Sequence, residues 1–220
     1  DVFIGHLYQP GEKVLVFTSN LSQGDYGAHV TQSGSVTCWA LGARPGVKPK
    51  AVERLPKGGK NGVWFLNQPV TGRWEANARS TTPDGDVKLT RRSAANVTAW
   101  RYLVLESDEA EPDEWLRLLV TIPLPIAAIY TSGGRSIHAL VRVDASSKPQ
   151  WDALRDRISP LVTKLGADPA AMTAVRLTRL PGCLRFGTTA KDGSYHAYDS
   201  PRLQKLLFLN PRPQCRPICS

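Results

Sequence analysis

The chain holds one methionine, five phenylalanines and four cysteines in 220 residues, and aromatic residues make up only 8% of it. It has no run near the roughly 18 consecutive apolar residues that a membrane-spanning helix needs. Its start, Asp1-Val2-Phe3, carries neither the charged nor the apolar region of a secretory signal. Cys38, Cys183, Cys215 and Cys219 are too few and too scattered for a disulfide framework, and they suit a reduced compartment. Cys215 and Cys219, with Cys183 and His196 upstream, make only an irregular zinc pattern with no second tight pair, so zinc is not expected. These absences predict a soluble, cytoplasmic protein with no membrane partner. The chain begins at Asp1 rather than Met, which suggests a piece of a longer polypeptide.

With 41% hydrophobic residues the chain can bury a real core and form one module, with room for two lobes. Its formal charge is +9, and the surplus is uneven. Residues 169 to 220 hold eight basic side chains against two acidic ones, which accounts for +6 of the +9. Such a concentration suits a polyanion, nucleic acid first, because each neutralised phosphate releases condensed counterions. A solvated basic surface is the plainer alternative.

The first part of the chain reads as strands and loops. Lys13-Val14-Leu15-Val16-Phe17 and Val63-Trp64-Phe65-Leu66 are short β-rich runs between Gly, Pro and Asn punctuation, and little there looks helical. Residues 42 to 62 and 81 to 92 read as exposed loops; the second ends at Arg91-Arg92, a candidate nucleic-acid contact.

From Trp100 the pattern becomes strand, helix, strand, strand, helix, strand. Arg101 to Glu106 is the first strand, and Pro112 to Val120 a helix whose N-terminal Pro and acids match the helix dipole. Pro125 to Tyr130 and Ile137 to Val143 form two strands joined by a Ser-Gly-Gly turn. Trp151 to Leu165 has helical spacing, with Gly166 as its C-cap and Pro160 as a kink or break, and Val175 to Leu180 supplies the last strand.

The chemistry concentrates at three points. Glu106 and Asp108 leave the first strand at i and i+2, on one face, and two adjacent carboxylates repel unless something cationic compensates them. A divalent cation bound through oxygen, magnesium or manganese, is one answer; two solvated acids are the other. Ser132, Gly133, Gly134, Arg135, Ser136 and His138 combine backbone amides, hydroxyls, a guanidinium and an imidazole, the donor types that bind phosphate oxygens, although a plain Gly-Gly hairpin has the same sequence. Arg176 and Arg179 precede Pro181-Gly182 and Arg185; on a regular strand Arg176 and Arg179 face opposite ways, so one faces the site. Asp168 is a candidate third acid, with Asp144 as its competitor.

In that order, Glu106-x-Asp108, Ser136-x-His138 after Gly-Gly, and Asp168 leading into Arg179-Leu180-Pro181-Gly182 resemble the catalytic core of the archaeo-eukaryotic primase superfamily, closest to the primase-polymerases of bacteria, plasmids and phages. The resemblance covers residues 91 to 185. It implies an α/β (α+β) fold in which residues 96–190 form an RRM-like catalytic sheet with packed helices. Residues 1–95 would form an N-terminal α/β lobe with basic loops, and 191–220 a basic extension. It further implies a DNA primase or primase-polymerase performing two-metal nucleotidyl transfer with Mg²⁺ or Mn²⁺. Glu106, Asp108 and Asp168 would hold the metals, and Ser132 to Ser136, His138, Arg176 and Arg179 would bind an NTP or dNTP. A single-stranded DNA template would meet Arg91, Arg92, Arg185 and Lys191, with Trp39, Trp64 and Trp74 as candidate stacking residues. A helicase or accessory domain would lie outside this chain. The family commonly begins its acidic pair with Asp, and many relatives follow Pro-Gly with Asn or His and then Lys; this chain has Glu106 and Cys183-Leu184-Arg185.

Two rivals differ in class. A non-catalytic RRM-like domain would bind single-stranded nucleic acid and give the acids no role, but no aromatic-rich strand of the RNP type is present. A metal-dependent nuclease of the rolling-circle type needs a His-x-His pair, whereas His138 is followed by Ala139 and Leu140.

Overall fold

Residues 101 to 105 are all buried, because the strand they form is covered on both faces. Tyr102 and Val104 enter one core with Val14, Val16, Phe65, Tyr130 and Leu140. Leu103 and Leu105 enter another with Trp115, Leu119, Trp151, Ile158 and Val162. The two-residue period of a strand makes that division.

The computed structural model describes residues 2–18, 24–42, 44–81 and 85–210. In chain order the first elements are α1 (Val2–Leu7), β1 (Lys13–Phe17), β2 (Tyr26–Val30), β3 (Val36–Ala40), β4 (Lys50–Val52), β5 (Gly58–Gly59), β6 (Trp64–Leu66), β7 (Glu75–Thr81) and β8 (Val87–Thr90). There follow β9 (Trp100–Glu106), α2 (Pro112–Thr121), β10 (Ile126–Thr131), β11 (Ile137–Ala145), α3 (Lys148–Lys164), β12 (Leu177–Arg179), β13 (Leu184–Thr189), β14 (Tyr195–Leu203) and β15 (Leu206–Leu209). The architecture is mixed α+β and rich in sheet. A six-stranded sheet runs β12-β6-β1-β2-β3-β4 and a four-stranded one β15-β10-β11-β9; β14-β13-β5 and β7-β8 form smaller sheets.

The four-stranded sheet is the middle layer. Helices α2 and α3 cover one face with Trp115 and Trp151, both buried as their helical spacing predicts. Replacing Trp151 with Ala would cost about 3–5 kcal/mol, the usual range for emptying an aromatic site in a core. The other face packs on the six-stranded sheet through Tyr102, Val104, Tyr130 and Leu140. Among the described residues no helix is long and apolar enough to cross a membrane.

Several expectations change. A short helix, α1, opens the chain, held by burial of Phe3, Ile4 and Leu7 rather than by a legible helical period. Residues 42 to 62 contain β4 and β5, and 81 to 92 contain β8, so neither is wholly loop. Pro160 lies inside α3, which continues to Lys164 and ends where Gly166 takes a φ of 101°. The largest change concerns Val175 to Leu180. Its strand, β12, pairs with β6 in the first sheet instead of closing the β9-β11-β10 sheet, whose other edge is taken by β15. Strand pairing depends on which edge the fold leaves open, and that is not written in a local pattern. Cys215 and Cys219 lie outside the described residues, as do Arg212 and Arg216. Cys183 is buried and donates to the Pro56 carbonyl at 3.4 Å, and burial pushes its thiol up to about 11.

Candidate functional site

Glu106 ends β9 on the same side as Tyr102 and Val104, facing the first sheet. His138 begins β11 on that side too, and the register sets it directly opposite Glu106. Opposed positions on neighbouring strands bring side chains into contact. His138 Nδ1 lies 2.7 Å from Glu106 Oε2, and both side chains are almost fully buried, at 7% and 6% exposed. Facing a carboxylate, Nδ1 is assigned the proton, which leaves Nε2 for other work. Nε2 is buried with no hydrogen-bond partner. The imidazole lies parallel to the Tyr130 ring at 5.7 Å, and the Tyr130 hydroxyl shares a 2.7 Å hydrogen bond with Thr178 Oγ1.

The second Glu106 oxygen, Oε1, takes Nη2 of Arg176. Burial alone would raise the Glu106 carboxyl, but the hydrogen bond and charge of His138, then Arg176, hold it below the usual carboxylate range. Arg176 Nη1 reaches the Ala170 carbonyl at 3.3 Å, while its Nε is buried without a partner. Arg176 precedes β12 and is therefore free of strand alternation. For that reason both Arg176 and Arg179 line the same cavity, where a regular strand would have admitted one.

That cavity, of about 300 Å³, is lined by Glu106, Asp108, Ser132, Ser136 and His138 from the β9-β11 side and by Arg176, Arg179 and Arg185 from across it. Asp108 is exposed, and its Oδ1 accepts a 2.6 Å hydrogen bond from Ser136 Oγ. Ser107 Oγ accepts from the Ala110 amide and so fixes the bend that follows the strand. Ser132 Oγ accepts from the Gly134 amide, and the Ser132 amide donates to the Ser136 carbonyl, closing the turn. Gly133 has a φ of 69°, and a Cβ there would meet the Arg202 carbonyl oxygen at 3.2 Å. The turn is therefore pressed against β14.

Arg179 lies over the Trp64 ring at 4.1 Å and donates to the Asn61 carbonyl at 2.5 Å. Gly62, with a φ of 96°, leaves it room, since a Cβ would stand 2.7 Å from Nη1. Burial, then the charge of Arg185, lowers the pKa of Arg179. Arg185 is held by the Gly187 carbonyl at 2.9 Å and Thr188 Oγ1 at 2.8 Å. Three guanidiniums and an imidazole thus face two carboxylates. The balance is cationic, and an incoming anion relieves it.

Other expected residues stand elsewhere. Gly133 and Gly134 shape the turn without lining the cavity. Arg135 is exposed and pairs with Glu111 at 2.8 Å at the start of α2. The Asp168 amide donates to the Glu106 carbonyl at 2.8 Å, but its carboxylate caps the short 3₁₀ turn at Pro169–Ala171 and is not a cavity wall. Asp144, its competitor, lies at the far end of β11, bound by Arg101 at 3.1 Å and Arg142 at 2.6 Å. Arg91 is buried, donates to the Gly42 carbonyl at 2.8 Å and stacks on Trp74, so it pins the fold instead of offering a free contact. Arg92 is half-buried and donates to the Val175 carbonyl at 2.9 Å. Lys191 is exposed on the turn between β13 and β14.

Sequence reasoning did not single out Thr178 or Tyr130, which brace His138. Thr178 sits between Arg176 and Arg179, yet a lone Thr in a strand carries no signal. Trp64 was a candidate base-stacking residue, and its place beneath Arg179 puts it in the cavity wall. Searches of family models, curated proteins and solved structures find no match to this chain.

Proposed function

We propose that this cavity is the active site of a template-directed nucleotidyltransferase of the primase-polymerase type. The observation that carries the reading is the convergence of two acids from the end of β9, Ser136 and His138 from β11, and three arginines from the far side of one pocket. Those residues come from segments up to 79 positions apart, Glu106 to Arg185, and carboxylates among phosphate-binding cations suit metal-assisted transfer of a phosphoryl or nucleotidyl group. The β10-β11-β9 order with α2 and α3 on one face supports an RRM-like arrangement in three strands, while the last strand of that pattern, β12, pairs with β6 and β15 takes the β10 edge.

The chain's own residues divide the work. Arg179 and Arg185 are pre-set by Trp64, Asn61, Gly187 and Thr188 to receive phosphate oxygens, and His138 Nε2 is the one ring atom left to meet another. The 3′-hydroxyl of a primer or first nucleotide gives its proton to solvent as its oxygen forms a bond to the α-phosphorus, the α–β anhydride breaks, and pyrophosphate leaves as these cations hold its charge. Exposed Lys48, Lys50, Lys57 and Lys60 in the first part of the chain offer a path for single-stranded DNA.

Magnesium or manganese fits the donor set in the manner of substrate-assisted sites: Glu106 and Asp108 supply hard oxygens, and the substrate phosphates would supply more. Among the described residues no three His, Cys, Asp or Glu side chains converge as a ready-made metal site. When bound, the cation would lower the pKa of the 3′-hydroxyl and neutralise the phosphates.

The test is product formation on primed and unprimed single-stranded DNA with labelled NTPs or dNTPs and Mg²⁺ or Mn²⁺. Metal-dependent products that vanish in Glu106→Gln/Asp108→Asn support the reading. Binding of DNA without product under any condition favours the non-catalytic alternative, with which the full engagement of Glu106 by His138 and Arg176 is compatible.

A further inference from the structure

Glu106 is already satisfied. One oxygen is held by His138 and the other by Arg176, and the carboxylate is 6% exposed. A divalent cation approaching it meets two cationic or proton-bearing partners in a poorly solvated place. Removing Glu106 from Arg176 would leave a half-buried guanidinium uncompensated, which is unfavourable unless another anion replaces the carboxylate.

Arg176 is built to accept such a replacement. Its backbone is fixed, because the Arg176 carbonyl accepts from the Asn67 amide at 3.1 Å. Its side chain is less committed: Nε is buried without a partner and the Nη1 contact to Ala170 is long, at 3.3 Å. A guanidinium presents five N–H donors in a planar fork that suits phosphate oxygens two at a time. One carboxylate oxygen and one distant carbonyl leave that fork underused.

We infer that Arg176 is a substrate-displaced latch: the triphosphate draws it off Glu106, and only then does Glu106 become a ligand for the divalent cation. The inference rests on the nucleotidyl-transfer reading and adds an order to it. Without nucleotide the acids are held shut and the cation is bound weakly. With nucleotide the same acids open. Because coupling is reciprocal, cation and nucleotide each tighten the other's binding by the same factor, about 5- to 150-fold for couplings of ordinary size.

The experiment measures Mn²⁺ binding by the loss of the free-ion electron paramagnetic resonance signal, on the intact chain and without nucleotide. Arg176→Gln removes the charge at similar size, and Arg176→Lys keeps the charge but not the fork. We expect Arg176→Gln to bind Mn²⁺ about 5- to 150-fold more tightly than wild type, and Arg176→Lys to stay close to wild type. A second arm adds an α,β-methylene nucleoside triphosphate, with Glu106→Gln as the control for cation carried by the nucleotide itself. Wild type should gain affinity beyond that control, and Arg176→Gln should gain much less. Equal Mn²⁺ affinity of wild type and Arg176→Gln, both folded and with wild type extending a primer, overturns the latch and leaves the proposed function standing. Absence of Mn²⁺ binding to any variant in either arm, with no product formed, overturns both.

Discussion

His138 and Glu106 are opposed residues of β11 and β9, joined at 2.7 Å through Nδ1 and Oε2, so the sheet register itself builds the first contact of the site. That contact fixes the imidazole tautomer and leaves Nε2 for a ligand. Tyr130, stacked on the ring, and Thr178, bonded to Tyr130, hold it in place from behind. Four consequences follow for measurement, each on a different residue.

Glu106→Ala should destabilise the fold by about 3–5 kcal/mol, since it leaves His138 and Arg176 buried without their partner. Glu106→Gln should cost less. The folded carboxyl is held below its ordinary value of about 4.3 by His138 and Arg176 against the opposing effect of burial. Its stabilisation is therefore fully present above that ordinary value and is lost as pH falls through the lower folded one. Urea denaturation from pH 7 to 3 should show a steeper acid loss in wild type than in Glu106→Gln; parallel curves would contradict this assignment.

Asp108 is exposed and accepts a 2.6 Å hydrogen bond from the Ser136 hydroxyl. Asp108→Asn should leave stability within about 0.5 kcal/mol of wild type. Nucleotidyl transfer should fall by about 10²–10³-fold, the size of loss of one preorganised electrostatic contact, because Asp108 is one of the two carboxylates that would hold the cation. Thermal unfolding beside a rate assay separates the two effects.

Arg179 combines a stacked plane with a pinned Nη1. Arg179→Lys keeps one charge and loses both features, so the KM for nucleotide should rise about tenfold, near 1.4 kcal/mol, with a smaller change in kcat. A fall in kcat with KM unchanged would mean that Arg179 acts only in the transition state and does not bind the ground-state nucleotide.

Arg91→Ala tests a residue whose sequence context suggested nucleic acid and whose position shows a buried pin. The fold should lose about 1–3 kcal/mol as the Gly42 carbonyl loses its donor and the Trp74 ring its cover. Single-stranded DNA affinity, per folded molecule, should not change. Loss of affinity without loss of stability would restore the contact role.

How much of this was legible follows from where each signal resides. Glu106 and His138 could be read because strand alternation is a local rule that carries a side chain to one face whatever surrounds it, and Asp108 and Ser136, two residues from them, follow into the bend and turn beyond the strands. Helices α2 and α3 were legible for the same reason at a different period. The membership of β12 was not, because Leu177–Arg179 could serve either sheet and only the whole fold decides that β6 receives it. That choice also brings Arg176, Arg179 and Thr178 across the cavity from Glu106 and His138. Arg135 illustrates the opposite error: its place in a phosphate-binding pattern gave no hint that Glu111 would engage it at the surface.

The central claim is that this cavity joins nucleotides under the direction of a template. The most direct measurement offers each labelled NTP or dNTP singly, with Mn²⁺, to a primed single-stranded template in which the base opposite the next position is changed through all four identities. The account predicts a one-nucleotide product whose identity follows the template base, with pyrophosphate released in equal amount and both formed about 10²–10³-fold more slowly in Asp108→Asn. Folded protein that binds the template and the nucleotide yet forms no product, or a product indifferent to the template base, would contradict it.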